Sequence, residues 1–403
     1  MWPDTRYRWV IVGYTIVLQA VNVGILTYCF ALFTLPWIDE FGASRRDIMI
    51  TMAALQVGMG LLSPFIGRYM DKFPMRNIVL AGLSALVMGL WLCTQVSELW
   101  HLWAIYATFM PLSTAMMGTL ASQTLVAKWF SDKRGLALGI SAMGTNVGGL
   151  LFPPLVALLI LDYGWRDTLN NLVVICLVVV LPLTFLVLRR QPPSISIDAN
   201  SNSANPIAAE KIWTTTEILT TFRFWLPFAA LTPLTMGFGA LQFNLGTMVR
   251  DLGLADETAA WLISLSALAM VSGKLFFGSF GDRIDHRYLY WFASVMMCFA
   301  LILMLDVNSL TQLVVVVIAM GISGGGILPL MGLIFGALFG AASFGRVMGI
   351  VMLNILIGAF APVLAGWSFD ATASYDLFIY GLFIVTIPGM IAMVKLPKPV
   401  LVT

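Results

Sequence analysis

The sequence predicts an all-α polytopic membrane protein with twelve transmembrane helices arranged as two pseudo-symmetric six-helix bundles. Of its 403 residues, 60% are hydrophobic and only 10% are charged, whereas about 25% of residues are charged in an average soluble domain. The apolar residues form long runs, and a loop motif of the first half recurs in the second half. Such a chain cannot cover a soluble fold with a hydrated surface, which excludes a soluble enzyme, a disordered chain and a nucleic-acid-binding protein.

Each predicted span is an apolar run of about 20 residues or more, the length that a hydrocarbon core of about 30 Å requires. Polar breaks between the runs place their approximate edges. The twelve predicted spans are 9–36, 47–70, 77–96, 100–127, 135–161, 168–188, 224–249, 257–281, 288–306, 309–340, 347–369 and 375–394.

The longest polar stretch of the chain lies between the sixth and seventh runs. Residues 189–213 read RRQPPSISIDANSNSANPIAAEKIW, and this content of Ser, Asn and Pro is typical of a linker. We therefore predict an N-terminal six-helix bundle at 1–189, a cytoplasmic linker at 190–213 and a C-terminal six-helix bundle at 214–403.

The distribution of lysine and arginine predicts the orientation of the spans, because these residues are retained on the cytoplasmic side of a membrane. With the amino terminus inside, cytoplasmic segments hold seventeen of the twenty-two basic residues and outer loops hold four, at Arg45, Arg46, Arg166 and Arg250. We therefore expect a multi-pass protein of the cytoplasmic membrane with both termini in the cytoplasm.

The loops after the second and eighth runs resemble each other. Residues 67–76 read GRYMDKFPMR and residues 278–287 read GSFGDRIDHR, so that Asp71 and Asp282 occupy equivalent positions 211 residues apart. Arg134 and Arg346, which precede the fifth and eleventh runs, form a second equivalent pair at about the same offset. Repeated halves joined by a cytoplasmic linker are typical of a secondary transporter.

The Gly-x-x-x-Asp-Arg/Lys-x-x-x-Arg element resembles the signature loop of the major facilitator superfamily, and it is present in both halves. Two further stretches resemble the oxalate:formate antiporters and the related monocarboxylate transporters. One runs from Tyr28 to Arg45, and the other from Lys128 to Gly139, followed by Pro153-Pro154 and Gly164-Trp165-Arg166.

This resemblance implies alternating access by two six-helix bundles around one central cavity, in a protein that works as a monomer. It also implies that Asp71 and Asp282 close the cytoplasmic side against Arg134, Arg346 and the adjacent helix amino ends. The alternative is that these loop charges only set the topology of the spans. The predicted gating residues are Asp71, Arg76, Arg134, Asp282, Arg283 and Arg346.

One charged residue, Lys274, lies deep inside a predicted span. It precedes Asp282 by eight positions, about 12 Å into the membrane at 1.5 Å per residue of helix. No predicted span carries an Asp or Glu in its interior. Since an intramembrane ion usually marks a transport pathway, we interpret Lys274 as the residue that binds the negative charge of a substrate. The alternative is a lysine that snorkels, or that packs in its neutral form against carbonyl groups.

The resemblance supports a carboxylate substrate, because the related transporters carry an arginine in helix 8 for this purpose. Lys274 replaces that arginine with a point charge, and a single cation suits a monoanion better than a dianion. Proton-coupled relatives place an aspartate one turn earlier, where this chain has Met270. Proton coupling through the lysine itself, anion exchange and facilitated diffusion therefore all stay open.

Polar residues inside the other apolar runs are further candidates for substrate contact. Asn354 lies eight residues past Arg346, at the same predicted depth as Lys274. A hydrogen bond between helices is an equally good interpretation for each of these residues. The predicted substrate-binding residues are Lys274, Asn354, Asn146, Gln19, Asn22, Gln56, Ser113, Thr114 and Gln242.

These observations predict a secondary transporter of a small organic monocarboxylate such as lactate, pyruvate or formate, with protons or a counter-anion as coupled ions. An exporter of amphipathic drugs or metabolites is less favoured, because it requires acidic residues inside the membrane. A membrane receptor that binds an anion without moving it is the alternative from another class. No enzymatic activity, cofactor or metal site is expected, since no span contains a nucleophile–base pair or a cluster of metal ligands.

Overall fold

The protein is described by a computed structural model, and every regular element formed by its described residues is a helix. The structure describes residues 4–43, 45–130, 132–190, 212–251, 256–358, 360–372 and 374–395. Most of the predicted linker 190–213 therefore lies outside the described residues.

Contacts divide the chain into two compact units. The first unit contains residues 1–131, 141–215 and 339–350, and the second contains residues 132–140, 216–338 and 351–403. Each unit therefore includes one short segment from the opposite half of the sequence. The division of the chain at the predicted linker stays a prediction.

The helices of the first unit follow the predicted apolar runs, although several of their ends lie inside a run. A π-helical turn, Gly24–Tyr28, connects the first two helices, and another, Cys176–Val180, connects the last two. These helices are α1 (Asp4–Val23), α2 (Phe30–Phe41), α3 (Arg45–Lys72), α4 (Met75–Thr94), α5 (Leu99–Met117), α6 (Thr119–Trp129), α8 (Gly144–Ile175) and α9 (Leu181–Val187).

The second unit contains the later helices and a short helix before the seventh run. Two helices lie mainly in the unit of the opposite half: α7 (Arg134–Ala142) in the second and α15 (Phe344–Val351) in the first. The remaining helices are α10 (Thr215–Thr220), α11 (Phe222–Asp251), α12 (Asp256–Gly281), α13 (His286–Met304), α14 (Leu310–Phe339), α16 (Leu353–Gly358), α17 (Ala361–Thr372) and α18 (Asp376–Ala392).

Ten helical stretches of the described residues are long and apolar enough to cross a membrane. One of them, Arg134–Val187, contains both the fifth and the sixth predicted spans. Its helix is broken at Gly164, whose φ of 77° is accessible to glycine at little cost. The eleventh predicted span, 347–369, coincides with the shorter helices α15, α16 and α17. Within the described residues, each of the twelve predicted runs is mainly helical, with different breaks.

Large apolar side chains lie on the outside of the helices as well as in their cores. In the first unit, the buried ring of Trp37 contacts the rings of Phe30, Phe33, Tyr106 and Trp165. The outward-facing apolar side chains include Leu150, Leu161 and Ile384, each more than two-thirds exposed, at 73%, 82% and 73%. Apolar side chains on both faces are expected of helices that lipid surrounds.

Candidate functional site

Lys274 lies on α12, where its side chain is almost completely buried, with 2% exposure. The residue is held by close contacts of its backbone with two glycines. A Cβ atom at Gly139 of α7 would lie 2.6 Å from the carbonyl oxygen of Lys274. A Cβ atom at Gly325 of α14 would lie 3.1 Å from the backbone nitrogen of Lys274. Any larger residue at either position would displace this turn of α12. The glycines thus fix the depth and direction from which the ammonium group projects.

The repeat places Ser63 of α3 at the position equivalent to Lys274, 211 residues earlier. Ser63 is also fully buried, and its hydroxyl donates to the carbonyl of Met59 at 2.6 Å. The carbonyl of Ser63 meets Gly349 of α15, just as that of Lys274 meets Gly139. The two halves therefore share a backbone arrangement, in which only the second carries a cation.

Asn354 of α16 forms a complete hydrogen-bond network with α11. Its amide nitrogen donates to the carbonyl of Phe228 at 2.9 Å and to the hydroxyl of Thr232 at 2.8 Å, and its carbonyl accepts from Thr235 at 2.6 Å. Both amide hydrogens and the carbonyl oxygen are therefore occupied. This arrangement matches the helix-to-helix alternative, and a role of Asn354 in substrate binding stays a prediction.

Gln19 and Asn22 form a buried polar cluster in the first unit. The amide nitrogen of Gln19 donates to the carbonyl and the hydroxyl of Ser141, at 2.7 and 3.1 Å, and that of Asn22 donates to Ser113 at 2.9 Å. Among the described residues, their carbonyl oxygens accept no hydrogen bond, although both side chains are fully buried. A buried acceptor without a donor is costly, so these two carbonyl oxygens are candidates to accept a hydrogen bond from a ligand.

Gln123 of α6 is a buried polar residue that the sequence analysis missed. Neither its amide nitrogen nor its carbonyl oxygen has a partner within the described part of the chain. The neighbouring hydroxyls of Ser122 and Thr124 are also buried and also have no hydrogen-bond partner among the described residues. The sequence feature that could have identified Gln123 is the polar Ser-Gln-Thr run at 122–124, near the end of the fourth predicted span.

The other predicted substrate-binding residues are more dispersed. Asn146 is half-buried on α8, where its carbonyl accepts from the hydroxyl of Thr145 at 3.3 Å. Thr114 donates within its own helix to Met110 at 2.9 Å, and Gln56 is half-buried on α3. Gln242 belongs to α11, but its side chain lies outside the described residues.

Each of the two repeated aspartates accepts hydrogen bonds from the amino end of a short helix. Asp282 accepts from the backbone nitrogens of Gly135 and Leu136 on α7, at 2.7 and 3.1 Å. Asp71 accepts from Gly345 and Arg346 on α15, at 3.0 and 2.8 Å. A helix amino end carries partial positive charge and unpaired N–H groups, so each carboxylate binds there favourably. The sequence prediction of this contact agrees with the geometry, and the gating role stays a prediction.

The predicted gating arginines have varied surroundings. The guanidinium of Arg346 donates to the carbonyl of Trp213, while that of Arg76 lies over the ring of Phe185, 4.4 Å from its centre. Arg134 is the first residue of α7, and Arg283 is exposed in the loop after α12. The backbone of Arg346 thus contacts Asp71 directly, whereas the side chain of Arg76 contacts Phe185.

The match to a known family extends over nearly the whole chain. Residues 16–245 and 228–402 match the sequence model of the Major Facilitator Superfamily. The chain belongs to this superfamily. This major facilitator protein is therefore a multi-pass membrane transporter, and the predictions of its family, of its all-α polytopic fold and of a non-enzymatic function are confirmed.

Several relatives of this major facilitator protein carry more specific names. It is 25% identical over 402 residues to monocarboxylate transporter 13 of Rattus norvegicus, with 96% of this chain and 89% of the relative covered. It is 25% identical over 281 residues to the oxalate:formate antiporter of Oxalobacter formigenes, with 70% and 65% covered. The structure of the human organic anion transporter MFSD10 superposes with a TM-score of 0.70 at 14% identity, over 98% and 100% of the two chains. That last similarity shows the shared fold.

Proposed function

We propose that this major facilitator protein transports a small organic monocarboxylate across the cytoplasmic membrane, with Lys274 as the residue that binds the carboxylate. The observation that carries the proposal is a basic side chain with 2% exposure on a membrane-spanning helix. Ionisable residues at such depth are rare in membrane proteins and commonly mark the path of an ion or a substrate. The expected substrates are monoanions such as lactate, pyruvate or formate.

The relatives support an anionic substrate. Monocarboxylate transporters and an oxalate:formate antiporter are named among proteins that align over most of this chain. A single lysine inside the predicted spans favours a substrate with one negative charge over a dianion such as oxalate. An exporter of amphipathic compounds is less favoured, because the interiors of the predicted spans contain no acidic residue.

We assign to Gln19 and Asn22 the recognition of a hydrogen-bond donor on the substrate. Their amide nitrogens are held by Ser141 and Ser113, which leaves the carbonyl oxygens as the groups available to a ligand. A carbonyl oxygen can accept a hydroxyl hydrogen but offers nothing to a ketone. This assignment favours a 2-hydroxy acid such as lactate over the corresponding 2-keto acid.

We further infer that Asp71 and Asp282 act in gating, through their contacts with α15 and α7. The bias of basic residues supports a cytoplasmic location of both termini, and we propose that the protein acts as a monomer. Coupling to protons and exchange for another anion both remain within the proposal. A proton-coupled carrier accumulates its substrate when an inward proton gradient is imposed, whereas an exchanger responds only to a preloaded anion.

Removal of the Lys274 charge tests the proposal. In proteoliposomes, Lys274→Gln is expected to reduce the initial rate of lactate uptake at least about a hundredfold, since one buried charge-assisted contact is worth roughly 3 kcal/mol. Lys274→Arg retains the charge and should keep part of the uptake. The matched control is Lys395→Gln, which removes an exposed lysine at the end of the described chain and should leave uptake unchanged.

Apparent melting temperatures in detergent separate a lost site from a lost fold. The proposal expects Lys274→Gln to melt close to the unaltered protein and to lose the stabilisation that lactate produces by mass action. Normal uptake by Lys274→Gln would overturn the assignment of the site. Failure of the unaltered protein to move any small monocarboxylate would overturn the substrate class.

A further inference from the structure

An apolar groove runs along the outside of the first unit between two helical walls. Its volume is about 420 Å³. One wall is a single face of α4, with Leu80, Val87 and Trp91, and the other is the sixth predicted span, with Val173, Leu177 and Leu181. The second wall includes the π-helical turn Cys176–Val180, an irregularity that often occurs at functional sites.

The length of the groove corresponds to one leaflet of a bilayer. From Leu80 to Trp91, a helix rises about 16 Å at 1.5 Å per residue, and half of a hydrocarbon core is about 15 Å. Trp91 is about half exposed, at 48%, and its indole closes the groove at the end nearer the carboxyl terminus of α4. A long, narrow apolar groove of this length fits one acyl chain.

Two arginines lie at the opposite end of the groove. Arg76 is one helical turn before Leu80, and Phe185 is one turn after Leu181, so both continue the two walls. The guanidinium of Arg76 lies 4.4 Å from the centre of the Phe185 ring, and Nε of Arg189 donates to the carbonyl of Phe185 at 3.3 Å. Two positive charges thus flank the exposed Phe185 at the mouth of the groove.

These arginines are not neutralised by carboxylates of the described chain. Arg166 pairs with Glu40 and Arg287 pairs with Asp285, whereas Arg76 and Arg189 form no ion pair with a carboxylate of the described residues. Arginine is well suited to phosphate, because its planar fork of donors matches the phosphate oxygens. An apolar groove that ends at unneutralised arginines is complementary to a molecule with an acyl chain and an anionic phosphate.

We propose that this groove is a binding site for one anionic phospholipid, whose phosphate is bound by Arg76 and Arg189 and whose acyl chain lies between α4 and the sixth predicted span. The lipid belongs to the leaflet on the side of Arg76, which the charge distribution predicts to be cytoplasmic. This site is separate from Lys274 and from the buried polar cluster of the first unit. It therefore stands independently of the proposed substrate.

Native mass spectrometry of the full chain tests the site with an equimolar mixture of phosphatidylglycerol and phosphatidylcholine that have identical acyl chains. The unaltered protein is expected to retain phosphatidylglycerol preferentially. Each basic residue near a membrane surface changes the binding of anionic lipid about fivefold, so the double variant Arg76→Gln/Arg189→Gln should lose nearly all of this preference. The matched control is Arg68→Gln, which removes an exposed arginine of α3.

A second pair of variants tests the apolar part of the groove. Ser84 is exposed in the wall formed by α4, and its hydroxyl donates to the carbonyl of Leu80, four residues earlier. Ser84→Trp is expected to fill the groove and to lower retention of the tightly bound lipid at least fivefold. Ser272 of α12 is an exposed serine with the same hydrogen bond four residues back, so Ser272→Trp serves as the control.

Three outcomes would overturn the proposal. The first is an unchanged lipid preference in the double arginine variant, and the second is an equal loss in Arg68→Gln, which would indicate general surface attraction. The third is a dimeric mass that Ser84→Trp abolishes, without any retained phosphatidylglycerol, because the groove would then accommodate a second copy of the chain.

Discussion

The two copies of the repeated loop share one contact and differ in another. In both loops the aspartate accepts two backbone hydrogen bonds from a short helix: Asp71 from α15 and Asp282 from α7. The last arginine of the motif differs in its partner. Arg287 is paired with Asp285, with Nη2 and Oδ2 2.6 Å apart, whereas Arg76 lies over Phe185.

A single position explains this difference. The residue before each following helix has nearly the same backbone, with φ and ψ of −57° and 129° at Pro74 and −55° and 127° at Asp285. Asp285 caps α13 by accepting from the nitrogen of Arg287 at 3.0 Å, and it binds the same guanidinium. The side chain of Pro74 provides no acceptor. The first loop therefore leaves its arginine available for another partner, which we propose to be lipid phosphate.

The repeated loops therefore share the contact of the aspartate, but they do not share the partner of the arginine. Since the shared contact involves a carboxylate and backbone nitrogens, it does not depend on which side chains surround it. The arginine contact depends on one acidic side chain two residues earlier.

The shared contact predicts similar effects for Asp71→Asn and Asp282→Asn. Each variant keeps one acceptor but removes the charge that interacts with the amino end of a helix, an interaction worth up to about 2 kcal/mol in partly buried sites. If these contacts act in gating, the initial rate of monocarboxylate uptake in proteoliposomes falls about tenfold for both variants.

The control for this pair is Asp39→Asn, which alters an exposed acid of α2 and should leave uptake unchanged. A purely structural role would give a different result: lower melting temperatures for both aspartate variants with normal uptake per folded protein. A strong effect of one aspartate and none of the other would contradict the equivalence of the two loops.

The differing contact predicts unequal effects of Asp285→Ala and Pro74→Ala. Asp285→Ala removes a helix cap and should destabilise the protein by about 1 kcal/mol, which a lower melting temperature in detergent would reveal. Pro74→Ala removes no capping group and only increases the conformational freedom of the unfolded chain at one residue, so its loss of stability should be the smaller of the two. Equal losses in the two variants would show that the cap at Asp285 contributes little.

The converse substitution makes the first loop resemble the second. Pro74→Asp introduces a capping carboxylate at a position whose backbone matches that of Asp285, and it should stabilise the protein by up to about 1 kcal/mol. The new carboxylate should also draw Arg76 away from Phe185 and weaken retention of phosphatidylglycerol. Stabilisation without any change in lipid retention would separate the cap from the lipid site.

The pH dependence of the Asp285 contact is the smallest expected effect. Burial acts to raise the pKa of this carboxyl, but its hydrogen bonds and charge interaction with Arg287 prevail and lower the pKa from its ordinary value of 3.8. A lowered pKa means that the ionised carboxylate stabilises the fold above the ordinary value, and that this contribution is lost as the pH falls through the lowered one.

The difference in melting temperature between the unaltered protein and Asp285→Asn should therefore be constant from about pH 7 to pH 5 and should shrink below about pH 4. A difference that grows on acidification would mean that the charge of Asp285 opposes folding.

Much of the fold could be predicted from the sequence, because the lipid environment imposes long apolar helices. The positions of helix breaks were less predictable. The break at Gly164 lies where the fifth and sixth runs were predicted to separate. By contrast, Gly118 separates α5 from α6 inside the fourth run, and the π-helical turn Gly24–Tyr28 separates α1 from α2 inside the first. Such breaks depend on tertiary packing, which the hydropathy of a run does not encode.

The charged residues of the candidate site could be predicted from the sequence. Lys274 could be identified because a basic residue inside an apolar run is rare, and the two aspartates could be identified because their loop is repeated. The network of Asn354 depends on the residues of a neighbouring helix, and so does the lack of a partner for the Gln123 amide among the described residues. The sequence alone could not show which buried amides have partners.

The glycine contacts beside the two repeated aspartates have a kinetic consequence. Gly135 and Gly139 of α7 meet Gly278 of α12, where an added Cβ would lie 2.9 Å from both the carbonyl of Gly135 and the Cα of Gly139. Two backbones that touch through glycine bury little apolar area, so detaching them exposes little to water. The barrier to detachment then comes mainly from the two hydrogen bonds of Asp282, which water can replace one at a time.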